Sequence, residues 1–235
     1  MTPAKRAFDV GSTLLGLAVL WPVFAVIALV IKLDDGGPVF FRQTRVGRDG
    51  RTFRMVKFRT MTVGADGKGM LLTVDADQRV TRVGRWLRRT KLDELPQLLN
   101  VLAGQMSLVG PRPEVPRYVA HYPPEQRAGV LALTPGLTHP GIVLDEAALF
   151  ADVSDPEAFY IAELIPEKNR LYLEYAARAT LWTDLDTILQ TLGRLLPRAQ
   201  RTERHGLPRA QGAGVRAAAT RAMVSTAART SARAK

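Results

Sequence analysis

The chain contains no cysteine, and its three histidines, His121, His139 and His205, lie far apart in the sequence. The lack of cysteine excludes disulfides, a thiol nucleophile and a cysteine-ligated zinc site, and the histidine spacing matches no metal-binding pattern. Carboxylates are therefore the side chains best suited to carry a reaction. The 235 residues are enough for one sizeable hydrophobic core and one appendage, so we expect one principal domain.

Acidic residues are almost absent from the C-terminal part of the chain. From Arg194 to Lys235 there are nine arginines and one lysine but a single acid, Glu203, so this part carries most of the net charge of +11. It is also poor in aromatic and large aliphatic residues, and we expect residues 198–235 to form a basic disordered tail. Such a polycation can bind anionic lipid or nucleic acid, or it can be a solvated extension.

One long apolar run lies near the N-terminus. Residues 10–31 contain no charged side chain, and their length reaches the roughly 20 residues needed to cross the hydrocarbon core of a bilayer. The run is followed by Lys32, Asp34 and Asp35, without a small-residue cleavage pattern. We therefore expect residues 1–35 to be a retained membrane anchor rather than a signal peptide.

Pro22 lies near the middle of this anchor, where a proline removes a backbone hydrogen bond and favours a bend. Basic residues flank both ends, with Lys5 and Arg6 before the run and Lys32 and Arg42 after it, so the positive-inside rule places both ends on the cytoplasmic side. A re-entrant helix broken at Pro22 satisfies both observations. A spanning helix with a proline kink is the alternative that the residues leave open.

Beyond the anchor, short elements of both kinds are expected. Two stretches rich in Phe, Val and Thr, 38–41 and 51–61, flank turn formers and predict a β-hairpin. Residues 78–90 combine many arginines with an apolar stripe, which predicts an amphipathic helix against a membrane or an anionic ligand; a solvated charged face is the alternative. Helices are also predicted at 166–181 and 183–196, the second at the bilayer surface or packed on the core.

Proline and glycine mark the predicted loops. Residues 107–116 and 134–141 are rich in both, and we expect each to be an irregular loop. Residues 63–68 superficially resemble a phosphate loop but lack its spacing and its Ser or Thr after the lysine. They are therefore predicted to be a mobile loop.

Two adjacent carboxylates, Asp93 and Glu94, lie within a basic stretch, and the leucine spacing after them predicts a short helix that begins close to Asp93. Neighbours on a helix point about 100° apart, so one carboxylate can attack phosphorus while the other binds a divalent cation or handles a proton. Hard oxygen ligands favour Mg²⁺. Helix capping is the ordinary alternative for such a pair, and a loop arginine, Arg112, can in turn pair with Glu114.

Three strings carry a family resemblance. They are PVFFRQTRVGRDGRTFRMVKFRTM at 38–61, RVTRVGRWLRRTKLDELPQLLNVLAGQMSLVGPRPE at 79–114, and PGLT at 135–138. In these strings the chain resembles the bacterial sugar transferase family, the monotopic polyprenyl-phosphate phosphoglycosyl transferases. With the apolar segment and the last predicted helix, the resemblance covers about residues 1–196.

The resemblance implies transfer of a sugar 1-phosphate from a UDP-sugar to undecaprenyl phosphate, with UMP as the other product. This is the initiating step of exopolysaccharide, capsule, O-antigen or glycoprotein glycan synthesis. It implies that Asp93 is the nucleophile, which forms a phosphosugar-aspartyl intermediate, that Glu94 assists, and that both bind Mg²⁺. The basic positions that match the family are Arg88 and Arg112, associated with phosphate and nucleotide binding, and Lys57 and Arg59, which are also expected to bind substrate.

The expected fold is α+β and predominantly helical. A re-entrant membrane helix at 1–35, broken at Pro22, precedes one catalytic domain at 36–197 that contains the β-hairpin and amphipathic interfacial helices. The resemblance implies a location in the bacterial inner membrane, with the catalytic domain on the cytoplasmic face. Expected partners are the UDP-sugar, undecaprenyl phosphate, the cytoplasmic leaflet, downstream glycosyltransferases and a second copy in a homodimer, but no nucleic acid.

Two places depart from the family pattern. Gln105 stands where an acid usually precedes Met-Ser, which puts any metal-binding duty of that position in question. His139, Pro140 and Gly141 replace the common continuation after PGLT, and the region 144–160 that follows is a candidate for sugar choice. The sequence names neither the sugar nor the final glycan. The rival interpretations are an inactive scaffold and a membrane-tethered binding protein driven by the basic tail.

Overall fold

The computed structural model describes residues 1–65, 77–139, 153 and 155–195. The predicted tail at 198–235, most of 144–160 and part of 63–68 lie outside these residues. Helices predominate among the described residues, as predicted. They are α1 (Pro3–Asp35), α2 (Arg82–Thr90), α3 (Gln97–Leu102), α4 (Pro116–Val119), α5 (Pro124–Leu131), α6 (Pro156–Phe159), α7 (Ile165–Arg178) and α8 (Leu181–Leu195), with a π-helical turn, Tyr160–Leu164, between α6 and α7.

The β-hairpin is confirmed. Strand β1 (Phe40–Val46) pairs antiparallel with β2 (Thr52–Phe58), in a register that places Val46 opposite Thr52. The connection is a single 3-10 turn in which Asp49 and Gly50 adopt positive φ angles, as suits the Gly and Asp residues found there. β1 extends five residues beyond the predicted end at 41, because the polar stretch after Phe41 continues the pairing.

The prediction of two irregular loops at 107–116 and 134–141 is wrong for part of each. Strand β3 (Ser107–Val109) pairs parallel with β4 (Gly136–Thr138). The start of β4 and the residue after β3 pass so close that a Cβ atom on Gly136 would lie 2.1 Å from the backbone nitrogen of Gly110. Glycine is therefore required by packing here, and no local pattern identifies the distant partner strand.

Helix α1 is capped at both ends. The Thr2 side chain accepts a hydrogen bond from the backbone nitrogen of Lys5, and Gly36 ends the helix in the left-handed conformation. By length and composition the helix is apolar enough to cross a membrane, with a mean hydropathy of 2.8 over its most apolar window. Pro22 lies inside the continuous helix, so the predicted break at this residue stays a prediction.

Both ends of α1 contact other parts of the protein. Near its start, Arg6 donates to the carbonyl oxygens of Val101 at 2.6 Å and Leu102 at 2.8 Å, at the end of α3. At its other end, Asp35 forms an ion pair with Arg59, which follows β2. The helix contains 33 residues, a path of roughly 50 Å, so these two contacts involve its opposite ends.

The hydrophobic core lies beneath α1 and continues under α7. One cluster joins β2, α3 and β3 and receives Phe8, Leu17 and Leu20 from the first half of α1. A second joins the other half of α1 to β2 and α2 through Ile27, Ile31, Phe58 and Leu87. The third packs the π-helical turn and α7 against α4 and α5, with the residues Val46, Val115, Tyr118, Val119, Tyr122, Val130, Tyr160, Leu164, Ile165 and Tyr172.

Candidate active site

Asp93 and Glu94 lie in a 3-10 turn, Leu92–Glu94, directly after α2. The turn follows Lys91, whose left-handed backbone conformation ends α2 and reverses the chain. Helix α3 begins only at Gln97 and has no side-chain cap, so the prediction of a helix that starts close to Asp93 is wrong. The capping interpretation of the two carboxylates is wrong for the same reason.

Glu94 is clamped by two cations. Its Oε1 accepts from Lys57 Nζ at 3.1 Å and from Arg112 Nη2 at 2.7 Å, and its Oε2 accepts from Arg112 Nη1 at 3.2 Å. Burial alone would raise the pKa of Glu94, but Arg112 and Lys57 outweigh it and hold this pKa well below its usual value. Glu94 is therefore ionised at neutral pH, and each of its oxygens accepts at least one hydrogen bond.

Asp93 has the opposite environment. The residue is 7% exposed, and its carboxylate makes no hydrogen bond or ion pair with any described residue. Burial raises its pKa above the ordinary value, and the nearby charge of Lys57 only partly offsets this effect. A buried carboxylate without a partner is poorly solvated, and its lone pairs are free to attack an electrophile or bind a cation.

Arg88 is held beside Asp93 by a buried threonine. Its Nε donates to Thr60 Oγ1 at 2.8 Å, and it is close enough to Asp93 for their charges to interact. Gly84 permits this approach: a Cβ atom at that position would lie 2.0 Å from the carbonyl oxygen of Thr60. Sequence reasoning selected Arg88 but missed Thr60 and Gly84, since close approach of α2 to the segment after β2 leaves no local pattern.

Arg112 belongs to the proline-rich segment after β3, and that segment is anchored by Glu114. The Glu114 carboxylate lies 3.3 Å from Lys168 Nζ and 3.8 Å from an Arg45 nitrogen, and it also accepts a hydrogen bond from the Tyr160 hydroxyl. Arg112 pairs with Glu94 instead, so the alternative pairing of Arg112 with Glu114 is wrong. Glu114 fixes the loop that presents Arg112.

The remaining sequence candidate, Arg59, is directed elsewhere. Besides pairing with Asp35, its guanidinium donates to the carbonyl oxygens of Pro38 at 2.6 Å and Met61 at 3.1 Å. The structure thus gathers Lys57, Arg88 and Arg112 around the two carboxylates, whereas Arg59 joins the end of α1 to the segment after β2. The expected role of Arg59 in substrate binding finds no support in these contacts.

The two departures from the family pattern have different surroundings. Gln105 accepts a hydrogen bond at 2.7 Å from Asn100, whose side chain also bonds to the backbone of β2 at Arg54 and Val56. A glutamine oxygen supplies this acceptor as well as a carboxylate would. His139 follows β4 and is buried, and its Nδ1 has no hydrogen-bond partner in the part of the chain that the structure describes. Burial holds its pKa well below the usual value.

A divalent cation would find few protein ligands here. Among the described residues, no three His, Asp or Glu side chains are grouped as a metal site. Asp93 offers a free, hard carboxylate oxygen that fits Mg²⁺, whereas the Glu94 oxygens already accept from Lys57 and Arg112. The site therefore fits a cation that is held by Asp93 and by oxygens of a bound phosphate ligand.

Comparison with known proteins matches residues 1–198 to the bacterial sugar transferase family. An undecaprenyl-phosphate glucose phosphotransferase of Komagataeibacter xylinus is 39% identical over 197 residues, covering 81% of this chain and 35% of the relative. A UDP-glucose:undecaprenyl-phosphate glucose-1-phosphate transferase of Caulobacter vibrioides is 40% identical over 195 residues, covering 82% of this chain and 69% of the relative.

A third relative, a putative undecaprenyl-phosphate N-acetylgalactosaminyl 1-phosphate transferase of Bacillus subtilis, is 44% identical over 118 residues, covering 50% of this chain and 66% of the relative. The chain thus spans about a third of the length of the Komagataeibacter relative and about two thirds of the other two. The family match extends from the apolar helix α1 to the end of α8 and includes every candidate site residue. The chain belongs to the bacterial sugar transferase family.

Proposed function

We propose that the chain is a phosphoglycosyl transferase that moves a sugar 1-phosphate from a UDP-sugar to undecaprenyl phosphate. The observation that carries this proposal is the buried carboxylate of Asp93, which has no partner among the described residues and lies beside Lys57 and Arg88, with Arg112 bound to the adjacent Glu94. A free carboxylate supplies a nucleophile, and the cations suit a diphosphate. The names of the relatives, which specify undecaprenyl phosphate and glucose or N-acetylgalactosamine, support the same substrate classes.

The proposed reaction has two displacements at one phosphorus. An Asp93 carboxylate oxygen attacks the β-phosphorus of the UDP-sugar; the bond from that phosphorus to the bridging oxygen breaks, and the electron pair leaves with UMP. The phosphosugar is then an acyl phosphate on Asp93. A phosphate oxygen of the lipid attacks the same phosphorus, the bond to Asp93 breaks, and the free carboxylate returns with undecaprenyl-diphospho-sugar as the product.

The other side chains of the site contribute positive charge. Arg88 and Arg112 present planar guanidinium groups that suit phosphate oxygens, and Lys57 adds a compact charge close to Asp93. Mg²⁺, when bound by Asp93 and the diphosphate, would neutralise charge on the leaving UMP. Burial strengthens these interactions because little water screens them.

The contacts of α1 support a location on one face of the membrane. Its two ends bind the same body of protein, through Arg6 and α3 at one end and through Asp35 and Arg59 at the other. A straight spanning helix would put its ends on opposite sides of the bilayer, roughly 30 Å of hydrocarbon apart. We therefore infer that α1 enters and leaves through the cytoplasmic leaflet of the inner membrane, as its flanking basic residues favour.

Exposed apolar side chains mark the surface that would enter the lipid. On α1 the outward face carries a row of large apolar residues, and α2 and α8 add Trp86, which is 54% exposed, and Trp182, which is 80% exposed. Tryptophan is typical of the membrane interface. The exposed residues on α1 are Leu14, Leu15, Val19, Trp21, Val23, Val26, Leu29, Val30 and Leu33.

An apolar groove between α1 and α2 supports binding of the acceptor lipid. The groove has a volume of about 320 Å³, and only apolar residues line it, among them Pro22, Val26 and Trp86. Leu87 of the lining directly precedes Arg88, so the groove and Arg88 belong to the same helix. A polyprenyl phosphate matches both parts, with its isoprenoid chain in the groove and its phosphate at Arg88.

The test is turnover by the purified full-length chain in detergent or nanodiscs with undecaprenyl phosphate, Mg²⁺ and a panel of UDP-sugars. UMP release shows activity and identifies the sugar. We expect Asp93→Asn to abolish UMP release while the protein stays folded, and mass spectrometry of the wild type to find a sugar phosphate on the peptide that contains Asp93. Near-normal UMP release by Asp93→Asn would disprove the nucleophile assignment, and an inactive wild type would favour the scaffold interpretation.

The same preparation tests the partner predictions. Association with downstream glycosyltransferases and formation of a homodimer remain predictions. Light scattering of the protein in nanodiscs measures its oligomeric state and so tests the homodimer. The rival reading of a binding protein driven by the basic tail predicts that deletion of residues 198–235 removes function. The transferase proposal predicts that UMP release survives this deletion, because every candidate site residue lies before Pro113.

A further inference from the structure

Glu94 holds two cations, and one of them, Lys57, lies close enough to Asp93 for their charges to interact. Lys57 Nζ and Arg112 Nη2 both contact its Oε1, and Arg112 Nη1 contacts its Oε2. We propose, on the basis of the transfer reaction above, that Glu94 is a positioning residue. It holds Lys57 and Arg112 ready for the substrate phosphates and keeps Lys57 off the nucleophile, and it acts neither as a base nor as a metal ligand.

The geometry leaves Glu94 little capacity for either of those roles. A general base must accept a proton on a lone pair that faces the substrate, whereas both Glu94 oxygens already face donors. A divalent cation bound to Glu94 would stand beside Lys57 and Arg112, and the three positive charges would repel one another in a buried site.

Asp93 depends on an adjacent anion that binds Lys57 in its place. Lys57 is close enough to influence the charge of Asp93, yet it donates its hydrogen bond to Glu94. If Glu94 lacked its charge, the buried Lys57 would lose the carboxylate to which it now donates, and Asp93 is the adjacent carboxylate whose charge it already influences. A direct ion pair would stabilise the negative charge of Asp93 and lower its nucleophilicity, so removal of Glu94 would weaken the nucleophile without touching it.

Substrate binding then exchanges one anion for another. A guanidinium group binds a carboxylate and a phosphate through the same pair of parallel donors, so the Glu94 carboxylate occupies Arg112 in the geometry that a phosphate requires. Lys57 and Arg112 need only shift from Glu94 to the diphosphate, and their orientation is set in advance. This organisation lowers the cost of ordering two long side chains when UDP-sugar binds.

The experiment compares wild type with Glu94→Gln, which keeps the size of the side chain but removes its charge. We expect kcat/KM for the UDP-sugar to fall at least about tenfold, while the acid limb of the pH profile and the Mg²⁺ concentration for half-maximal rate stay unchanged. Loss of an acid limb would show that Glu94 is a base. A tenfold or larger rise in the Mg²⁺ requirement would show that it is a ligand.

A double-mutant cycle tests whether Glu94 acts through the cations. In an Arg112→Ala background the further effect of Glu94→Gln should shrink to about threefold or less, because the principal cation that Glu94 holds is gone. Effects that multiply independently would overturn the proposal. Melting curves of all variants show whether they are folded, and a folded Glu94→Asp variant, which keeps the charge, should recover part of the lost activity.

Binding of UDP, measured by calorimetry, separates this proposal from the transfer reaction. If the wild type releases no UMP with any UDP-sugar, the transfer reaction is wrong, but the calorimetric comparison still applies. We expect Glu94→Gln to bind UDP at least about fivefold more weakly than wild type because its cations are no longer preset. Equal binding by folded wild type and Glu94→Gln would overturn the positioning role.

Discussion

Arg112 and Glu94 form a two-point ion pair, with N···O distances of 2.7 and 3.2 Å, between a proline-rich loop and the turn that carries the nucleophile candidate. The acid nearer to Arg112 in sequence, Glu114, is occupied by Lys168 and Arg45. The pairing therefore joins two separate segments of the chain at the site, and its geometry uses both terminal nitrogens of the guanidinium group.

The first prediction concerns that geometry. Arg112→Lys keeps the charge but cannot donate two parallel hydrogen bonds, so we expect kcat/KM for the UDP-sugar to fall about tenfold or more. Arg117→Lys is the matched control, because Arg117 is 61% exposed and pairs with Glu157 on another surface. Steady-state kinetics of UMP release measure both. An Arg112→Lys enzyme with wild-type kcat/KM would exclude a bidentate role for Arg112.

The second prediction is that the nucleophile costs stability. A raised pKa means that folded Asp93 binds a proton more readily than unfolded Asp93, so the ionised carboxylate destabilises the fold once the pH exceeds that pKa. Asp93→Asn should raise the melting temperature at pH 7 by about 2 to 4 °C, which corresponds to about 1 kcal/mol. The difference should vanish as the pH falls below the ordinary carboxyl range, where wild-type Asp93 is protonated.

Glu94→Gln is the control, because we expect it to change the melting temperature in the opposite direction. The pKa of Glu94 is lowered in the folded protein, so its charge stabilises the fold above the ordinary carboxyl range, and this contribution disappears as the pH falls through the lowered value. Glu94→Gln should therefore lower the melting temperature at pH 7. Scanning calorimetry of both variants checks the pair, and a shift in the same direction for both would contradict the assigned environments.

The third prediction tests the close approach of α2. A Cβ atom at position 84 would lie 2.0 Å from the carbonyl oxygen of Thr60, so Gly84→Ala must push the helix away and weaken the hydrogen bond from Arg88 to Thr60. We expect a loss of about 1 to 3 kcal/mol in the free energy of unfolding and a lower kcat. Gly11→Ala is the control, since nothing lies within 4 Å of that added Cβ. Equal effects of the two substitutions would contradict the packing argument.

The sequence predicted the elements whose patterns are local. The β-hairpin, α2 and the two long C-terminal helices follow from runs of apolar and turn-forming residues, and each was placed within a few positions. Strands β3 and β4 were missed, because three-residue strands that pair across a long separation in sequence have no periodicity of their own. The predicted start of the helix after Glu94 was too early. Lys91 adopts a left-handed conformation that a lysine does not predict, and a 3-10 turn follows it before α3 begins at Gln97.

The site residues likewise include some that the sequence predicts and some that only the fold brings in. Asp93, Glu94, Arg88, Arg112 and Lys57 were selected from one basic region and one family resemblance, and the fold brings them together. Arg59 was selected with Lys57 because both belong to KFRTM, a stretch that matches a basic motif of the family. β2 ends at Phe58, however, and Arg59 turns towards Asp35 at the end of α1. Partners such as Asp35 depend on tertiary contacts that a local pattern does not contain.

The fourth prediction concerns the acceptor lipid. Val26→Trp places a bulky side chain in the apolar groove between α1 and α2, so KM for undecaprenyl phosphate should rise severalfold while KM for the UDP-sugar stays the same. Leu29→Trp is the control, because Leu29 is also exposed on α1 but does not line the groove. If both variants had the same KM for undecaprenyl phosphate, the groove would not be the binding site of the acceptor lipid.

The last prediction addresses the path of α1 through the membrane. Because the chain has no cysteine, single cysteines at position 4, before the apolar run, and position 34, after it, give unambiguous labelling sites. If both ends of α1 lie on the cytoplasmic face, a membrane-impermeant maleimide should label Ala4→Cys and Asp34→Cys in inside-out vesicles and neither in intact spheroplasts. Val19→Cys, on the exposed apolar face, should react only after detergent is added. A spanning helix would instead give one labelled end in each preparation, and that result would contradict the inference drawn from the contacts of Arg6 and Asp35 with the same body of protein.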